Sequence, residues 1–235
     1  MKKQIFTLLV VLSFYLLSAQ NENIFVSHTG FFLSYNEKYV QANWVAYSLT
    51  KAKTQKVCDR ADKFVPDPKL KAKMATNKDY SHSGYDRGHL APAADMAWSL
   101  QSMQESFYFS NVSPQQASFN RGIWKKLESL VRLWAIEYDT IFIVTGPLLT
   151  QGLPTIGAHK IAVPSFFYKV IVNKTKGKGI GFIIPSQAIN QNLQNFAVSI
   201  DSVETVSGID FFSTFADEQE KQIEKEVCIG CWKWK

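Results

Sequence analysis

An acid, a base and a histidine lie side by side in the segment YDRGHLAPAADM, at Asp86, Arg87 and His89. A guanidinium suits a phosphate because its planar fork donates two parallel hydrogen bonds. An imidazole suits proton transfer because its ordinary pKa of about 6.5 lies near neutrality. If the segment is extended, Arg87 and His89 point to the same side, and Gly88 allows a close backbone approach. These residues fit phosphate chemistry, although a charged surface turn has the same composition.

Hydrolysis of a phosphodiester needs an attacking water, stabilisation of the charge that builds on phosphate, and help for the leaving oxygen. Mg²⁺ suits the last task; it prefers oxygen ligands and keeps several waters, so one or two protein ligands suffice. Asn111, Asn120 and Glu128 follow the histidine as candidates. Each has a structural alternative: a turn residue before Pro114, a helix N-cap and a solvated helix residue. On a regular helix Asn120 and Glu128 are about 80° apart in azimuth, on the same general side.

The surrounding sequence predicts a mixed α+β domain that positions these residues. From about Phe119 to Tyr138, apolar residues recur at spacings of three and four, which predicts one long helix with a single apolar face. Residues 51–92 are polar and turn-rich, which indicates a long functional excursion. A short helix is expected at Ala93–Gln104. The predicted strands are Phe31–Tyr35, Tyr39–Thr50, Phe107–Phe109, Thr140–Val144, Lys160–Val163, Phe166–Val172 and Ile180–Ile184.

The beginning of the chain has the pattern of a secretory signal peptide. Lys2 and Lys3 precede the apolar run Ile5–Leu17, and the small polar segment Ser18–Gln20 follows. The run is short for a membrane span, and a retained membrane anchor is the alternative. We therefore expect a signal peptide at 1–20, one domain at 21–235, a secreted or periplasmic protein, and no stable membrane insertion after cleavage. No repeat or Pro/Gly/Ser-rich linker divides residues 21–235.

The composition is that of a folded protein with a modest positive charge. Apolar residues make up 46% of the chain and charged residues 20%, which excludes a disordered tail. Loss of Lys2 and Lys3 reduces the formal charge from +6 to +4. An excess of this size suits a polyanionic partner but is also found on ordinary solvated surfaces. Lysines cluster near residues 51–56, 69–78 and 174–178, where they could border a nucleic-acid groove.

The chain has three cysteines, Cys58, Cys228 and Cys231. In an oxidising compartment they allow one disulfide and one free thiol. Cys228 and Cys231 have the CxxC spacing, but no second CxxC or histidine pair accompanies them. A structural bridge at the end of the chain is favoured over redox chemistry, and a bridge from Cys58 to one of the pair stays open.

Beyond single residues, the chain resembles the DNA/RNA non-specific endonucleases, the family that includes mitochondrial endonuclease G. The resemblance covers roughly residues 30 to 215, and the segments keep the family's order and spacing. The segments are Asp86–Pro92, Ser110–Gln115, Asn120–Trp124, Leu127–Glu128, Val144–Pro147, Ile161–Pro164, Phe167–Val170, Phe182–Pro185 and Ser207–Phe212.

The resemblance implies a ββα-metal (His-Me finger) nuclease fold, with a central mixed or antiparallel sheet and one long active-site helix. It implies that His89 is the general base and that Asn120 is the direct ligand of Mg²⁺, with Mn²⁺ as the alternative ion. Glu128 matches the acid that binds a water ligand of the cation. Arg87 would contact phosphate. Two further positions match less directly: Arg60 aligns loosely with a second phosphate-binding arginine, and Asn111 matches the asparagine that supports histidine and substrate.

Taken together, these observations predict a Mg²⁺-dependent endonuclease that hydrolyses DNA and RNA with little sequence preference. The family pattern implies products with 5′-phosphate and 3′-hydroxyl ends. One alternative is a catalytically inactive basic nucleic-acid-binding protein on the same fold, which would lack the base or the metal ligand. Another is a secreted redox or metal-binding protein built on the CxxC pair, which would need further ligand clusters. Neither an inhibitor protein nor the oligomeric state can be predicted.

Overall fold

The computed structural model describes residues 23–213 and 217–234. Strands and helices along them form a mixed α+β fold, as the apolar patterns predict. The strands are β1 (Asn23–Ser27), β2 (Phe32–Asn36), β3 (Gln41–Thr50), β4 (Asp86–His89), β5 (Val112–Gln115), β6 (Thr140–Pro147), β7 (Thr155–Ile156), β8 (Ile161–Ala162), β9 (Phe166–Asn173), β10 (Lys178–Pro185) and β11 (Ala197–Val198). The α-helices are α1 (Asn77–Tyr80), α2 (Leu100–Ser106), α3 (Ala117–Phe119), α4 (Lys125–Tyr138), α5 (Ile200–Ser207) and α6 (Asp217–Glu224).

A seven-stranded sheet forms the centre, in the order β1-β2-β3-β6-β9-β10-β11. Every neighbouring pair in it is antiparallel. The predicted mixed or antiparallel sheet is therefore antiparallel throughout.

Helices cover both faces of this sheet. On one face, the apolar stripe of α4 (Leu127, Val131 and Trp134) packs in one cluster with buried strand residues such as Ile143 and Phe182. Burial of one such side chain stabilises the fold by about 1.5–3 kcal/mol. On the other face, α5 and α6 pack their own apolar residues against β9 and β10. The core is therefore two-sided, and α4 is held rigidly on one face.

The excursion predicted at 51–92 leads into a second structural unit. Near its end the chain forms β4, which pairs with β5 as an antiparallel ribbon. Gln41 of β3 holds this ribbon on the main sheet, because it accepts a hydrogen bond from Ser113 Oγ at 2.6 Å and donates one to the Ala162 carbonyl at 2.8 Å. A helical segment from Ala117 to Tyr138 follows at once. Two strands and a helix thus form a compact ββα unit beside the sheet.

Several predicted elements need correction. The strand expected at Phe107–Phe109 is wrong: Phe109–Asn111 forms a short 3₁₀ turn, and Tyr108 makes one isolated bridge to Val65. The helix expected at Ala93–Gln104 is divided into a 3₁₀ turn at Ala93–Met96 and α2. Pro92 and Ser99 precede these two pieces, and the Ser99 side chain caps α2. The other predicted strands are present with shifts of a few residues at their ends.

The C-terminal cysteines are joined to each other. Cys228 and Cys231 form a disulfide, and Cys58 is free, with its Sγ 3.4 Å from the Ala97 carbonyl. The signal peptide expected at 1–20 lies outside the described residues. Within the residues that are described, no helix is long and apolar enough to cross a membrane.

Candidate active site

The candidate site lies where the β4–β5 ribbon meets the helical segment. Register along the ribbon pairs Asp86 with Gln115 and His89 with Val112. Leu90 continues the ladder, and its backbone N–H donates to the Asn111 carbonyl at 2.9 Å. The backbone on both sides of His89 is therefore fixed.

Gly88 is required by its neighbour across the ribbon. A Cβ at this position would lie 2.2 Å from the side chain of Gln115, which is fully buried. The close approach expected at Gly88 is therefore that of the Gln115 carboxamide. Any side chain at position 88 would have to displace the buried Gln115 side chain.

His89 lies between two aromatic rings. Its imidazole is 5.2 Å from the Phe64 ring and 4.7 Å from the Phe107 ring, centroid to centroid. The residue is 9% exposed, and Nε2 is buried without a hydrogen-bond partner. Burial, aided by the positive charge of Arg60, lowers the pKa of His89 to about 3. At neutral pH the ring is uncharged, so one nitrogen can accept a proton.

The same two rings carry the two candidate arginines. The Arg87 guanidinium lies 4.9 Å over the Phe64 ring, and that of Arg60 lies 5.0 Å over the Phe107 ring. Arg87 and His89 therefore project to the same side of β4, as predicted for an extended segment. Stacking on a ring face orients a guanidinium and leaves its edge N–H groups for other partners. One of those of Arg87, on Nη1, donates to Asn77 Oδ1 at 2.6 Å.

Asn111 is fully buried and its side chain bonds only to backbone groups. Oδ1 accepts from the Ala91 N–H at 2.8 Å, while Nδ2 donates to the carbonyls of Ala91 and Ser106, each at 2.9 Å. These bonds hold the chain just after His89. The expected support of the histidine is therefore geometrically possible through the backbone. The expected contact with substrate is not, because the side chain has no exposed surface.

Asn120 is held by the strand that carries the histidine. Its Nδ2 donates to Asp86 Oδ2 at 2.9 Å. Arg121 binds the same carboxylate through two bonds, of 2.8 and 2.6 Å. Since the amide nitrogen is used in this way, the carbonyl oxygen of Asn120 is the atom left for a further partner.

The N-cap alternative for Asn120 is wrong. The helical segment begins three residues earlier at Ala117, and Asn120 has helical dihedrals. Residues Asn120–Trp124 form a π-helical turn that is broken at Gly122 (φ −100°, ψ −112°) before α4 starts. The azimuth of 80° between Asn120 and Glu128 assumed a regular helix, so it does not apply. Wide turns of this kind are frequent at functional sites.

Glu128 lies in the first turn of α4, where the charges of Lys169 and Asp95 act on it. Burial raises its pKa, and Lys169 is the strongest of the cations that oppose this effect. Lys169 is fully buried, with Nζ 4.9 Å over the Trp124 ring and no hydrogen-bond partner. Burial in turn lowers the pKa of Lys169. The solvated-helix alternative for Glu128 therefore does not fit its surroundings.

Arg60 links the two halves of the site. Its charge lowers the pKa of His89, and it also opposes the rise in the pKa of Glu128. Arg60, which the sequence aligns only loosely, thus lies within electrostatic range of both residues. The structure brings together all the predicted residues: His89, Arg87 and Arg60 around the aromatic pair, Asn111 behind the histidine, Asn120 through Asp86, and Glu128 through Arg60.

Three groups of residues at the site were not predicted from the sequence. The first is the pair Phe64 and Phe107, which has no motif and is separated by over forty residues. The second is Asp86 as the partner of Asn120, although it belongs to the charged tetrapeptide. The third is the set Lys169, Asp95, Tyr47 and the half-buried Arg132, in which Asp95 accepts bonds from Arg132 Nη1 and Tyr47 Oη, each at 2.8 Å. Asp86 and Asp95 belong to the segment YDRGHLAPAADM, and Lys169 belongs to Phe167–Val170, but the sequence gives none of the three a role at the site.

Oxygen donors of the kind a divalent metal prefers are present at this place. Asn120 offers a carbonyl oxygen whose orientation is fixed by Asp86, and Glu128 offers a carboxylate. Neutral and acidic oxygens suit a hard cation. The donor set therefore fits the metal that a ββα-metal fold implies.

A ββα unit with a histidine on its ribbon and an asparagine on its helix defines the ββα-metal nuclease class. The family model described as "DNA/RNA non-specific endonuclease" matches residues 15–218, and the chain belongs to this family.

Named relatives agree. The chain is 37% identical over 202 residues to "Nuclease EXOG, mitochondrial" of Xenopus laevis, covering 77% of this chain and 56% of that protein. It is 37% identical to "Nuclease C1" of Cunninghamella echinulata var. echinulata, covering 80% and 82%. It is 33% identical to "Endonuclease G, mitochondrial" of Homo sapiens, covering 79% and 68%. The match to the EXOG protein thus spans little more than half of that relative's length.

A solved structure supports the fold. The chain from a crystal structure of the EndoG/EndoGI complex, which concerns EndoG inhibition, superposes with a TM-score of 0.76 at 33% identity. The match covers 83% of this chain and 88% of that one. The predicted α+β, ββα-metal fold is confirmed.

The predicted secreted or periplasmic localisation is wrong by the same comparisons. Nuclease EXOG and endonuclease G are both named mitochondrial proteins, and nothing in them supports a secretory signal peptide. The family match also begins at residue 15, inside the segment assigned to that signal. A basic start followed by an apolar run is a pattern of composition, and composition alone does not name a compartment.

Proposed function

We propose that this chain is a Mg²⁺-dependent endonuclease that hydrolyses phosphodiester bonds of DNA and RNA with little sequence preference. The observation that carries the proposal is the shared strand: β4 holds His89 and Arg87 on one side and, through Asp86, fixes the amide of Asn120. The base, the phosphate clamp and a metal ligand are thus set by four consecutive residues. The family membership and the nuclease relatives support the reaction class.

His89 acts as the general base. Its neutral imidazole takes a proton from the attacking water, and the two aromatic rings keep it uncharged and in place. A pKa of about 3 describes the protein without substrate. A phosphate diester adds negative charge beside the ring, which raises the pKa of His89 toward the range where proton transfer is efficient.

Asn120 and Glu128 hold the cation. Asn120, with its amide oxygen left unbonded, would supply a direct ligand, and Glu128 would bind a water of the cation, since Mg²⁺ keeps several waters. The bound ion stabilises charge on the phosphate and on the leaving oxygen. Mn²⁺ also favours oxygen ligands and is the alternative ion.

Arginines and lysines bind the nucleic-acid backbone. Arg87 and Arg60 contact the scissile phosphate from either side of the aromatic pair. A cavity of about 850 Å³ is lined by Arg121, Lys125 and Lys126 together with polar and apolar residues, and Arg121 connects it to the site through its bonds to Asp86. Backbone contacts carry no base information, so little sequence preference follows.

Digestion of plasmid DNA and of RNA by the purified protein tests the proposal. We expect cleavage with Mg²⁺, no cleavage in excess chelator, and 5′-phosphate ends. His89→Ala should lower the rate about 10²–10⁴-fold, the usual contribution of a general base, without loss of DNA binding. His159→Ala is the matched control, since the His159 imidazole bonds to Asp79 of α1 and not to a residue of the ribbon. Full activity in chelator or in His89→Ala would overturn the mechanism, and binding without any cleavage would favour an inactive binding protein.

A further inference from the structure

A second group of carboxylates lies on the opposite face of the sheet, between α5 and α6. Asp201 and Glu204 of α5 and Glu224 of α6 each offer one oxygen, and these three oxygens lie within 4.8 Å of one another. None of the three belongs to the ββα unit. Carboxylates this close repel one another unless something positive lies between them.

Glu224 shows that the cluster is more than a surface feature. The residue is 6% exposed, and its Oε1 is buried with no hydrogen-bond partner. Glu220, one turn earlier on α6, likewise has a buried Oε1 without a partner. A buried carboxylate oxygen with no partner is costly, so these oxygens need a ligand that the described residues do not supply.

The remaining contacts leave room for such a ligand. Glu204 uses Oε1 to accept the Phe211 N–H at 2.7 Å, and its other oxygen is left over. Asp210 adds a further negative charge that acts on Glu204 and on Glu224. The lysine at the start of β10, Lys178, directs its Nζ to the Cys231 carbonyl at 3.1 Å.

We propose that Asp201, Glu204 and Glu224 bind one divalent cation of the Ca²⁺ type, with Glu220 in support. Three oxygens within 4.8 Å of one another can all reach one ion at Ca–O distances of about 2.3–2.6 Å. A cluster built from carboxylates suits Ca²⁺, which tolerates irregular geometry, better than Mg²⁺, which demands near-ideal octahedral geometry and keeps several waters. Waters complete the six to eight ligands.

The bound cation joins α6 to α5. Ile223 of α6 packs against the sheet at Gly179, where a Cβ would lie 2.6 Å from the Ile223 carbonyl oxygen. An ion shared by the two helices fixes α6 in this position. The site is therefore structural and independent of the proposed nuclease reaction.

Calcium titration of the full chain tests the inference. The protein carries Asn120→Ala, so that the proposed active-site ligand does not contribute, and is freed of metal with a chelator. Isothermal titration with CaCl₂ at pH 7.5 should show one site. The thermal midpoint should rise with CaCl₂, and more than with the same concentration of MgCl₂.

Glu224→Gln decides the result. It keeps the volume of the side chain and removes its charge, and we expect Ca²⁺ affinity to fall by about tenfold or more, since affinity follows the ligand charge. Glu218→Gln, on an exposed position of the same helix, should bind as before. Equal calcium responses in Glu224→Gln and the parent, or no calcium binding in either, would overturn the site. Nuclease activity of Glu224→Gln on the wild-type background should be unchanged, which keeps this test separate from the proposed function.

Discussion

Asn120 Nδ2 lies 2.9 Å from Asp86 Oδ2, so the strand that carries His89 also orients the amide on the facing helix. Asp86 accepts from Asn120 with an oxygen that Arg121 Nε also contacts, at 2.8 Å. The Arg121 guanidinium keeps the pKa of this carboxyl low, against the effect of its partial burial. Asp86 is therefore ionised at neutral pH and can only accept hydrogen bonds, which forces the amide nitrogen toward it and the amide oxygen away.

Removal of Asp86 should weaken metal binding rather than proton transfer. In Asp86→Ala the amide of Asn120 can rotate, and partners of this kind are worth about 10–100-fold in metal affinity or activity. We expect cleavage in limiting Mg²⁺ to fall by this factor and to recover in part as Mg²⁺ is raised. The measurement is the dependence of the plasmid nicking rate on Mg²⁺ concentration.

Arg121→Ala is the matched control for Asp86. It removes two of the bonds to the carboxylate but leaves the Asn120–Asp86 bond. In Arg121→Ala the dependence of the nicking rate on Mg²⁺ concentration should stay close to that of the wild type, and DNA binding should weaken instead. An Asp86→Ala variant that loses rate equally at every Mg²⁺ concentration would show that Asp86 does not act through the metal ligand.

Arg60 should set the pH at which activity is lost on the acid side. The enzyme needs neutral His89 and ionised Glu128, so the rate falls as the pH drops through the pKa of either residue. The positive charge of Arg60 lowers the pKa of both residues. In Arg60→Ala both pKa values rise, and the acid limb of kcat/KM should move to higher pH.

Arg87→Ala separates charge near the histidine from phosphate binding. Arg87 packs on the Phe64 ring and bonds to Asn77. Its removal should raise KM and leave the acid limb where it is. Identical pH profiles for Arg60→Ala and the wild type would exclude the electrostatic role of Arg60.

Lys169 should favour the ionised form of Glu128. Burial raises the pKa of Glu128 to about 7, and Lys169 is the strongest opposing charge. In Lys169→Met the pKa of Glu128 rises further, so a larger fraction of the carboxyl group is protonated at neutral pH and the ionised form dominates only at higher pH. We expect the rate at pH 7 to fall, the rate at pH 9 to recover, and the acid limb to shift upward.

Recovery of the rate at high pH distinguishes this effect from misfolding. Removal of one partner of a buried pair of charges costs about 3–5 kcal/mol, so the free energy of unfolding of Lys169→Met should fall, whereas a misfolded variant would not regain its rate at pH 9. Lys71→Met, at an exposed position, should change neither the pH dependence of the rate nor the free energy of unfolding. A uniform loss of rate at all pH values would contradict a role through Glu128.

The fold and most of the site were predictable from the sequence because they rest on local patterns. The apolar spacing of α4 and the alternation in β3 are periodic signals, and Arg87 and His89 share a side of β4 because any extended segment places i and i+2 together. The family's segments, in order, then pointed to Asn120 and Glu128. These inferences need only neighbouring residues or ordered motifs.

What could not be predicted depends on contacts between distant segments. Phe64 and Phe107 lie in the loop before β4 and just after α2, and only the folded chain packs their rings 4.8 Å apart. The broken turn at Gly122 displaced Asn120 from the position that a regular helix predicts. Asn111 resembled a turn residue because its three backbone partners belong to other segments. Hydrogen bonds and packing across such distances have no signature in a single sequence.

Asn111 should contribute to the stability of the fold through its buried hydrogen bonds. In Asn111→Ala the Ala91 N–H and the carbonyls of Ala91 and Ser106 lose their partners inside the protein. A buried polar group without a partner costs about 1–3 kcal/mol, so urea unfolding should show a large fall in the free energy of unfolding. Asn111→Asp keeps the acceptor for Ala91 N–H but sets a second oxygen against two carbonyls, so it should not rescue the protein. Asn195→Ala, at an exposed position, is the control. If Asn111→Ala unfolds like the wild type yet loses activity, Asn111 acts on the reaction directly and not by holding the chain behind His89.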